Sequence, residues 1–230
     1  FWSKLKEDLK WERRFLTDLE LIEDLRWESY FSNSQIKINP NETYFRARIH
    51  QMGQFEPFPI DDMGCPKKNF ASSGRANPQG IPYLYLSKSK DTTLYETRAS
   101  YLDDVSIGKF IINDSKNLRL VDFTTKASAF SFDTFGSIIE FTKSVLLKRN
   151  ISLDLSRPLR RYDSELEYIP TQFICEYIRY ITDADGILFD SSLHFGGKNI
   201  VLFNPGNAQC VSVEKHRVSK IIILSLIHIS

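Results

Sequence analysis

The sequence predicts a mixed α/β fold, a central mixed sheet with flanking helices, preceded by an N-terminal amphipathic helix. Three observations carry this expectation. Short segments of alternating or uniformly apolar residues are interspersed with segments of helical period. Glycine and proline gather in one long stretch, residues 52–81, rather than punctuating the chain evenly. Apolar residues of the first segment recur at spacings of three, four or seven. With 230 residues, 42% hydrophobic, and with 17 Phe and 10 Tyr, the chain has enough apolar surface to offset its conformational entropy in one principal core.

Taken in order, residues 2–30 place Leu5, Leu9, Leu16, Leu19, Ile22 and Leu25 on one helical face with charges between them. Ser32-Asn33-Ser34 and Asn39-Pro40-Asn41 are turn formers and predict a domain boundary. Residues 44–49 alternate, with Phe45, Ala47 and Ile49 on one face and Tyr44, Arg46 and Arg48 on the other, which predicts a half-buried strand whose arginines leave the core face. Residues 52–81 form a long ordered loop of the kind that often carries function. A short strand at 83–86 follows, and Asp91 or Thr92 caps a helix reaching about residue 102. Strands are expected at 107–112 and 118–121, and a helix at 135–148. Residues 164–181 read as a helix that Pro170 either kinks or restarts. Strands at 186–189, 199–203, 209–213 and 218–223 complete the pattern.

Charge and motif content exclude several function classes. Thirty basic residues against 29 acidic ones create no whole-molecule field toward nucleic acid or an anionic membrane. No run of about 18 apolar residues spans a bilayer, and the N-terminus has charges where a signal peptide would be apolar. Cys65, Cys175 and Cys210 are odd in number and lack ligand spacing, so neither a disulfide framework nor a zinc site is expected, and a reducing cytoplasm is the expected compartment. No GxSxG elbow, GxGxxG fingerprint or P-loop occurs, and His50 and His194 have no catalytic partner at a recognisable spacing.

Four places could carry chemistry. Arg75 lies in a turn stiffened by Gly74, Pro78 and Gly80, so its guanidinium is either a pre-organised fork for phosphate oxygens or an ordinary solvated loop cation. Glu96 sits in mid-helix with Thr92, Thr93, Ala99 and Ser100 three and four residues away and no basic partner there. It is either an exposed helix glutamate or an approachable carboxylate. Asp190-Ser191-Ser192 closes a buried-type strand, where ligand groups or mere backbone caps both occur. Phe195-Gly196-Gly197-Lys198 is a hairpin turn.

Together these pieces resemble the RES domain, the toxin of bacterial RES/Xre toxin–antitoxin pairs. Tyr44-Phe45-Arg46-Ala47-Arg48 is similar to the family's opening strand, and Gly74-Arg75-Ala76-Asn77-Pro78-Gln79-Gly80 to its arginine loop. Tyr83-Leu84-Tyr85-Leu86 is similar to its tyrosine strand. Ten positions separate Arg75 from Tyr85 and eleven separate Tyr85 from Glu96, the spacing associated with the family's catalytic residues. Glu167-Tyr168-Ile169-Pro170-Thr171-Gln172 and the strands at 186–191 and 199–203 resemble its closing half, with Ser191 in the serine position and Ser192 as its rival. The stretch 124–162 is longer than in compact members, and the N-terminal helix resembles the tail of an HEPN-like helical domain.

The resemblance implies a fold similar to ADP-ribosyltransferases and an NAD⁺-degrading enzyme, a glycohydrolase or phosphorylase that cleaves the nicotinamide–ribose bond with no metal and no cofactor beyond NAD⁺ as substrate. It implies Glu96, Arg75, Tyr85 and Ser191 as catalytic residues and Arg46, Arg48, Ser192 and Asn77 as substrate-binding ones. An Xre-type antitoxin is the implied protein partner, with neither nucleic acid nor membrane bound. Transfer of ADP-ribose to a protein is the alternative chemistry, and a non-catalytic nucleotide-binding or interaction module the alternative of another class. The expected organisation is a helical segment over 1–38 that ends a truncated N-terminal domain, the RES domain over 40–223, and a tail over 224–230. That tail reads as a translated sequencing adaptor and is expected to be non-native.

Overall fold

The computed structural model of the chain describes residues 1–15, 27–40, 42–113, 117–124, 138–157 and 164–219. Helix α1 (Trp2–Glu7) runs into a π-helical turn over Asp8–Glu12, and α2 spans Trp27–Asn33. Strands β1 (Gln35–Lys37), β2 (Thr43–Ile49) and β3 (Leu84–Ser87) precede helix α3 (Lys90–Thr97). Strands β4 (Asp104–Ile112) and β5 (Arg119–Asp122) lead to helices α4 (Ile138–Ser156) and α5 (Ile169–Ile181). Strands β6 (Gly186–Asp190), β7 (Lys198–Leu202) and β8 (Ala208–Arg217) end the described fold.

The eight strands form one mixed sheet in the order β1-β5-β6-β7-β3-β2-β4-β8. Among the described strands only β5 and β6 run parallel, and the expected mixed α/β architecture is the one observed. Alternation along each strand feeds two layers of core. Val121, Ile187, Phe189 and Val201 face the helices, where they meet Trp2, Leu5, Leu9, Trp27, Phe31, Ile151 and Ile178. Leu120, Leu188, Ile200 and Leu202 face the opposite layer with Tyr44, Met63 and Phe110. Strands β6 and β7 approach so closely that a Cβ at Gly186 would lie 2.0 Å from the Val201 carbonyl oxygen, so only glycine fits there.

Several boundaries depart from expectation for local reasons. The N-terminal helix is not continuous, because Arg13 turns extended after the π turn, and Leu16, Leu19, Ile22 and Leu25 lie outside the described residues. Residues 35–37, within the expected boundary, add β1 to the sheet edge beside β5. Both faces of β2 are covered: Tyr44 is wholly buried, and Arg46 and Arg48, on its side, donate to the Gly64 carbonyl of the overlying loop at 2.8 and 2.9 Å. The cap of α3 is Ser89, whose Oγ accepts from the Thr92 amide, and the helix stops at Thr97 because Arg98 is left-handed at φ 53°. Pro170 starts α5 rather than kinking a longer helix. The strand expected at 218–223 is not formed at Val218 and Ser219, its remainder and the 224–230 tail lie outside the described residues, and β8 is longer than expected. Among the described residues no helix is long and apolar enough to cross a membrane.

Candidate active site

Strands β2 and β3 are joined by a single residue pair, Phe45 with Ser87, while β2 otherwise pairs with β4 and β3 with β7. Where the two part, a cleft of about 590 Å³ opens, lined from both sides by Arg46, Ala47, Tyr85, Ser87, Phe189 and Asn199. Helix α3 supplies Thr93 and Glu96 from above, and the arginine loop supplies Ser73, Gly74 and Arg75. The helix is docked on β2 by the Ala47 amide, which donates to Thr93 Oγ1 at 3.0 Å.

Glu96 is held by two neutral donors. Ser191 Oγ and Asn199 Nδ2 each donate to its Oε1 at 2.7 Å, and Oε2 accepts no hydrogen bond among the described residues. Ser191 itself accepts from the amides of Leu193 and His194 at 3.2 and 3.1 Å, which leaves its proton for Glu96. Ser192 is exposed and takes no part in this network, so the serine that reaches the carboxylate is Ser191. The Phe195-Gly196-Gly197-Lys198 turn joins β6 to β7 as a hairpin, with Gly196 at φ 75°.

The arginine loop is pinned from within and from α5. The Tyr85 hydroxyl donates to Asn77 Oδ1 at 2.7 Å and accepts the Ala76 amide at 2.9 Å, while Asn77 Nδ2 reaches the carbonyls of Ser72, Pro78 and Ile81. A Cβ at Gly74 would lie 2.6 Å from Asn77 Oδ1 and 2.7 Å from the Tyr85 oxygen, which is why glycine precedes the arginine. Thr171 Oγ1 donates to the Arg75 carbonyl, and Gln172 Nε2 donates to Ser73 Oγ and to the carbonyls of Gly74 and Asn77. Gln172→Leu keeps the volume and removes these donors, leaving the half-buried Gly74 carbonyl and Ser73 hydroxyl without them while the Asn77 carbonyl keeps the Gly74 amide, at a cost of about 1–3 kcal/mol. A fall in Tm of roughly 3–10 °C is therefore expected in thermal unfolding, and an unchanged Tm would contradict the pinning.

The sequence candidates thus separate. Arg46, Arg75, Tyr85 and Glu96 line the cleft, and Ser191 acts on Glu96. Asn77 is buried in the loop as its staple, and Arg48 lies against Phe58 at 5.7 Å with its Nε buried and unpaired. Neither lines the cleft. Tyr85 faces the cleft with its hydroxyl already spent, and burial pushes that phenol well above its usual range. Burial also lowers the Arg46 pKa, with the neighbouring Cys65 thiol opposing and Arg48 adding to the shift. Arg75 Nη1 donates to the Leu155 carbonyl at 2.8 Å, in the last turn of α4, where the helix end is partially negative. Asn199, Ser87, Thr171 and Gln172 were not singled out from the sequence. A polar residue inside an otherwise apolar strand, as Asn199 is, is the signal that would have found one of them.

Electrostatically the cleft carries three arginines, Arg46, Arg75 and Arg98, against Glu96 and Glu165. Such a lining suits a ligand with a phosphate-rich part and a second part that presents positive charge to a carboxylate. Among the described residues no group of three His, Cys, Asp or Glu is placed to hold a metal ion. No curated protein and no solved structure gave a significant match to the chain. The model of one family, the RES domain, matches residues 44–221, which takes in the strand, the arginine loop and the closing strands that build this cleft. The chain belongs to the RES-domain family.

Proposed function

We propose that the cleft binds NAD⁺ and breaks the bond between nicotinamide and ribose, and that the protein acts as the toxin of a toxin–antitoxin pair. The observation that carries this reading is the state of Glu96: one carboxylate oxygen is saturated by Ser191 and Asn199, the other is left to a ligand, and no Lys, Arg or His forms an ion pair with it among the described residues. The nicotinamide of NAD⁺ is a cationic leaving group. When its C–N bond breaks, the bonding pair goes to the ring nitrogen and the ribose becomes oxocarbenium-like. A fixed carboxylate beside that sugar stabilises the developing charge. Arg46 and Arg75 are the groups suited to the pyrophosphate, and a volume of about 590 Å³ lies within the range of roughly 300–1,000 Å³ usual for small-molecule sites.

The acceptor decides the product. Water adds its oxygen to the ribose carbon and releases a proton, giving ADP-ribose. Inorganic phosphate gives the sugar phosphate, and a protein side chain gives an ADP-ribosylated protein. In this reading an Xre-type antitoxin holds the enzyme inactive in the cytoplasm. The purified chain is incubated with NAD⁺, with and without inorganic phosphate, and nicotinamide release is followed by chromatography alongside mass spectrometry of protein from a cell extract. Release of nicotinamide is the expected result, and the accompanying product identifies the acceptor. NAD⁺ left intact for hours by folded protein would replace this reading with that of a binding module.

A further inference from the structure

A glutamate carboxylate rotates over a broad, two-fold torsion, so a catalytic oxygen is fixed only if the other oxygen is held. One donor leaves a swivel, and two donors from different segments of the chain define a plane. Ser191, just after β6, is one donor to Glu96 Oε1, and Asn199, on β7, is the second. We propose that Asn199 is a positioning residue of this site, which holds the Glu96 carboxylate in the rotation that leaves Oε2 to the substrate, and that Ser87 sets Asn199 in turn. This inference rests on the reading of the cleft as an NAD⁺-cleaving site.

The polarity of the chain follows from donor and acceptor capacity. A carboxylate only accepts, so the Asn199 amide must present its NH₂ to Glu96. Its oxygen then faces away and needs a donor, which Ser87 Oγ supplies at 2.7 Å. Ser87 and Asn199 stand directly opposite each other in the β3–β7 register, and Phe189 stands opposite Asn199 on β6. Ser87 and Asn199 are 3% and 6% exposed, so water does not compete for these bonds. The same cleft is lined by the charged groups Arg46, Arg75, Arg98 and Glu165, while the Asn199 side chain is committed to Ser87 and Glu96.

The test compares wild type with Asn199→Ala, Asn199→Asp and the double variant Glu96→Gln/Asn199→Asp, by NAD⁺ turnover per folded molecule and by thermal unfolding. Asn199→Ala is expected to lower kcat about 10- to 100-fold with KM for NAD⁺ changed by no more than about twofold, the pattern of a lost transition-state interaction. Unchanged kcat per folded molecule, as for a residue that serves only the fold, overturns the proposal. Asn199→Asp keeps the acceptor for Ser87 but sets a carboxylate against Glu96, and should lower Tm at neutral pH by roughly 5 °C. Adding Glu96→Gln restores a donor–acceptor pair of reversed polarity with position 199, while the Ser191 proton loses its acceptor, and should recover more than half of the Tm lost in Asn199→Asp. Simple addition of the two losses overturns the pairing. If wild type leaves NAD⁺ intact, the functional reading falls while the Tm comparison still decides the pairing, so the two failures are distinguishable.

Discussion

Glu96→Gln is expected to bind NAD⁺ and leave it intact, with nicotinamide release slowed roughly 10²–10³-fold and KM little changed. The substitution replaces one oxygen by an NH₂ of nearly the same size, so Ser191 and Asn199 keep an acceptor at the position of Oε1. What is removed is the negative charge at the oxygen facing the cleft. A ground-state dinucleotide loses little by that, because its ribose hydroxyls bond to an amide nearly as well as to a carboxylate. An oxocarbenium-like transition state loses its counter-charge in a site whose remaining lining is predominantly cationic. Single-turnover release of nicotinamide, read beside an NAD⁺ titration of the same variant, separates the two effects. A rate like wild type would remove Glu96 from the chemistry whatever else the cleft does.

The parts of this site that were legible in the sequence are those whose signal is local. The Gly74-Arg75 turn, the Tyr85 strand and the Glu96 helix each announce themselves within a few residues, and their fixed spacing survives folding because β3 and α3 follow one another directly. The role of Tyr85 was less legible, since its hydroxyl is spent on Asn77 and Ala76 across a loop whose closure no spacing reveals. Asn199 stands out as a polar residue beside an apolar run, but its partnership with Glu96 was illegible for the same reason on a larger scale: it is 103 positions from Glu96, and only the order β7-β3 in the sheet brings it there. The fold shows the same division. Alternation marked β2 and apolar runs marked β4, β5, β6 and β7, whereas β1, three residues long at the sheet edge, has no periodicity to show, and the break at Arg13 interrupts an apolar spacing that continues unaltered through it. Likewise Pro170 was ambiguous between kink and start until its neighbours fixed the helix axis.

Arg46→Met is expected to move stability and binding in opposite directions. Arg46 donates to the Gly64 carbonyl and meets no carboxylate among the described residues, and its lowered pKa arises first from burial, which means that the folded protein holds the cation less favourably than water does. The sign is fixed across the working range. A guanidinium stays charged at neutral pH in both folded and unfolded chains, so the full penalty is present there and is relieved only where the folded group would lose its proton. A methionine of similar length fills the space without the charge, and Arg48 remains as a donor to the same carbonyl at 2.9 Å. The expected gain is about 1 kcal/mol, or roughly 2–4 °C in Tm, constant between pH 6 and 8 by the argument above. The same change removes a charged donor from the cleft, and a bond between a guanidinium and a pyrophosphate oxygen is worth about 1.5–3 kcal/mol, so NAD⁺ affinity should fall roughly 10- to 100-fold. A variant that is both more stable and a poorer binder would show that this cation is kept for the ligand against the interest of the fold. A variant that loses stability would instead show that Arg46 is there to hold the Gly64 loop, and an unchanged NAD⁺ affinity beside that loss would leave the anion to the other arginines of the cleft.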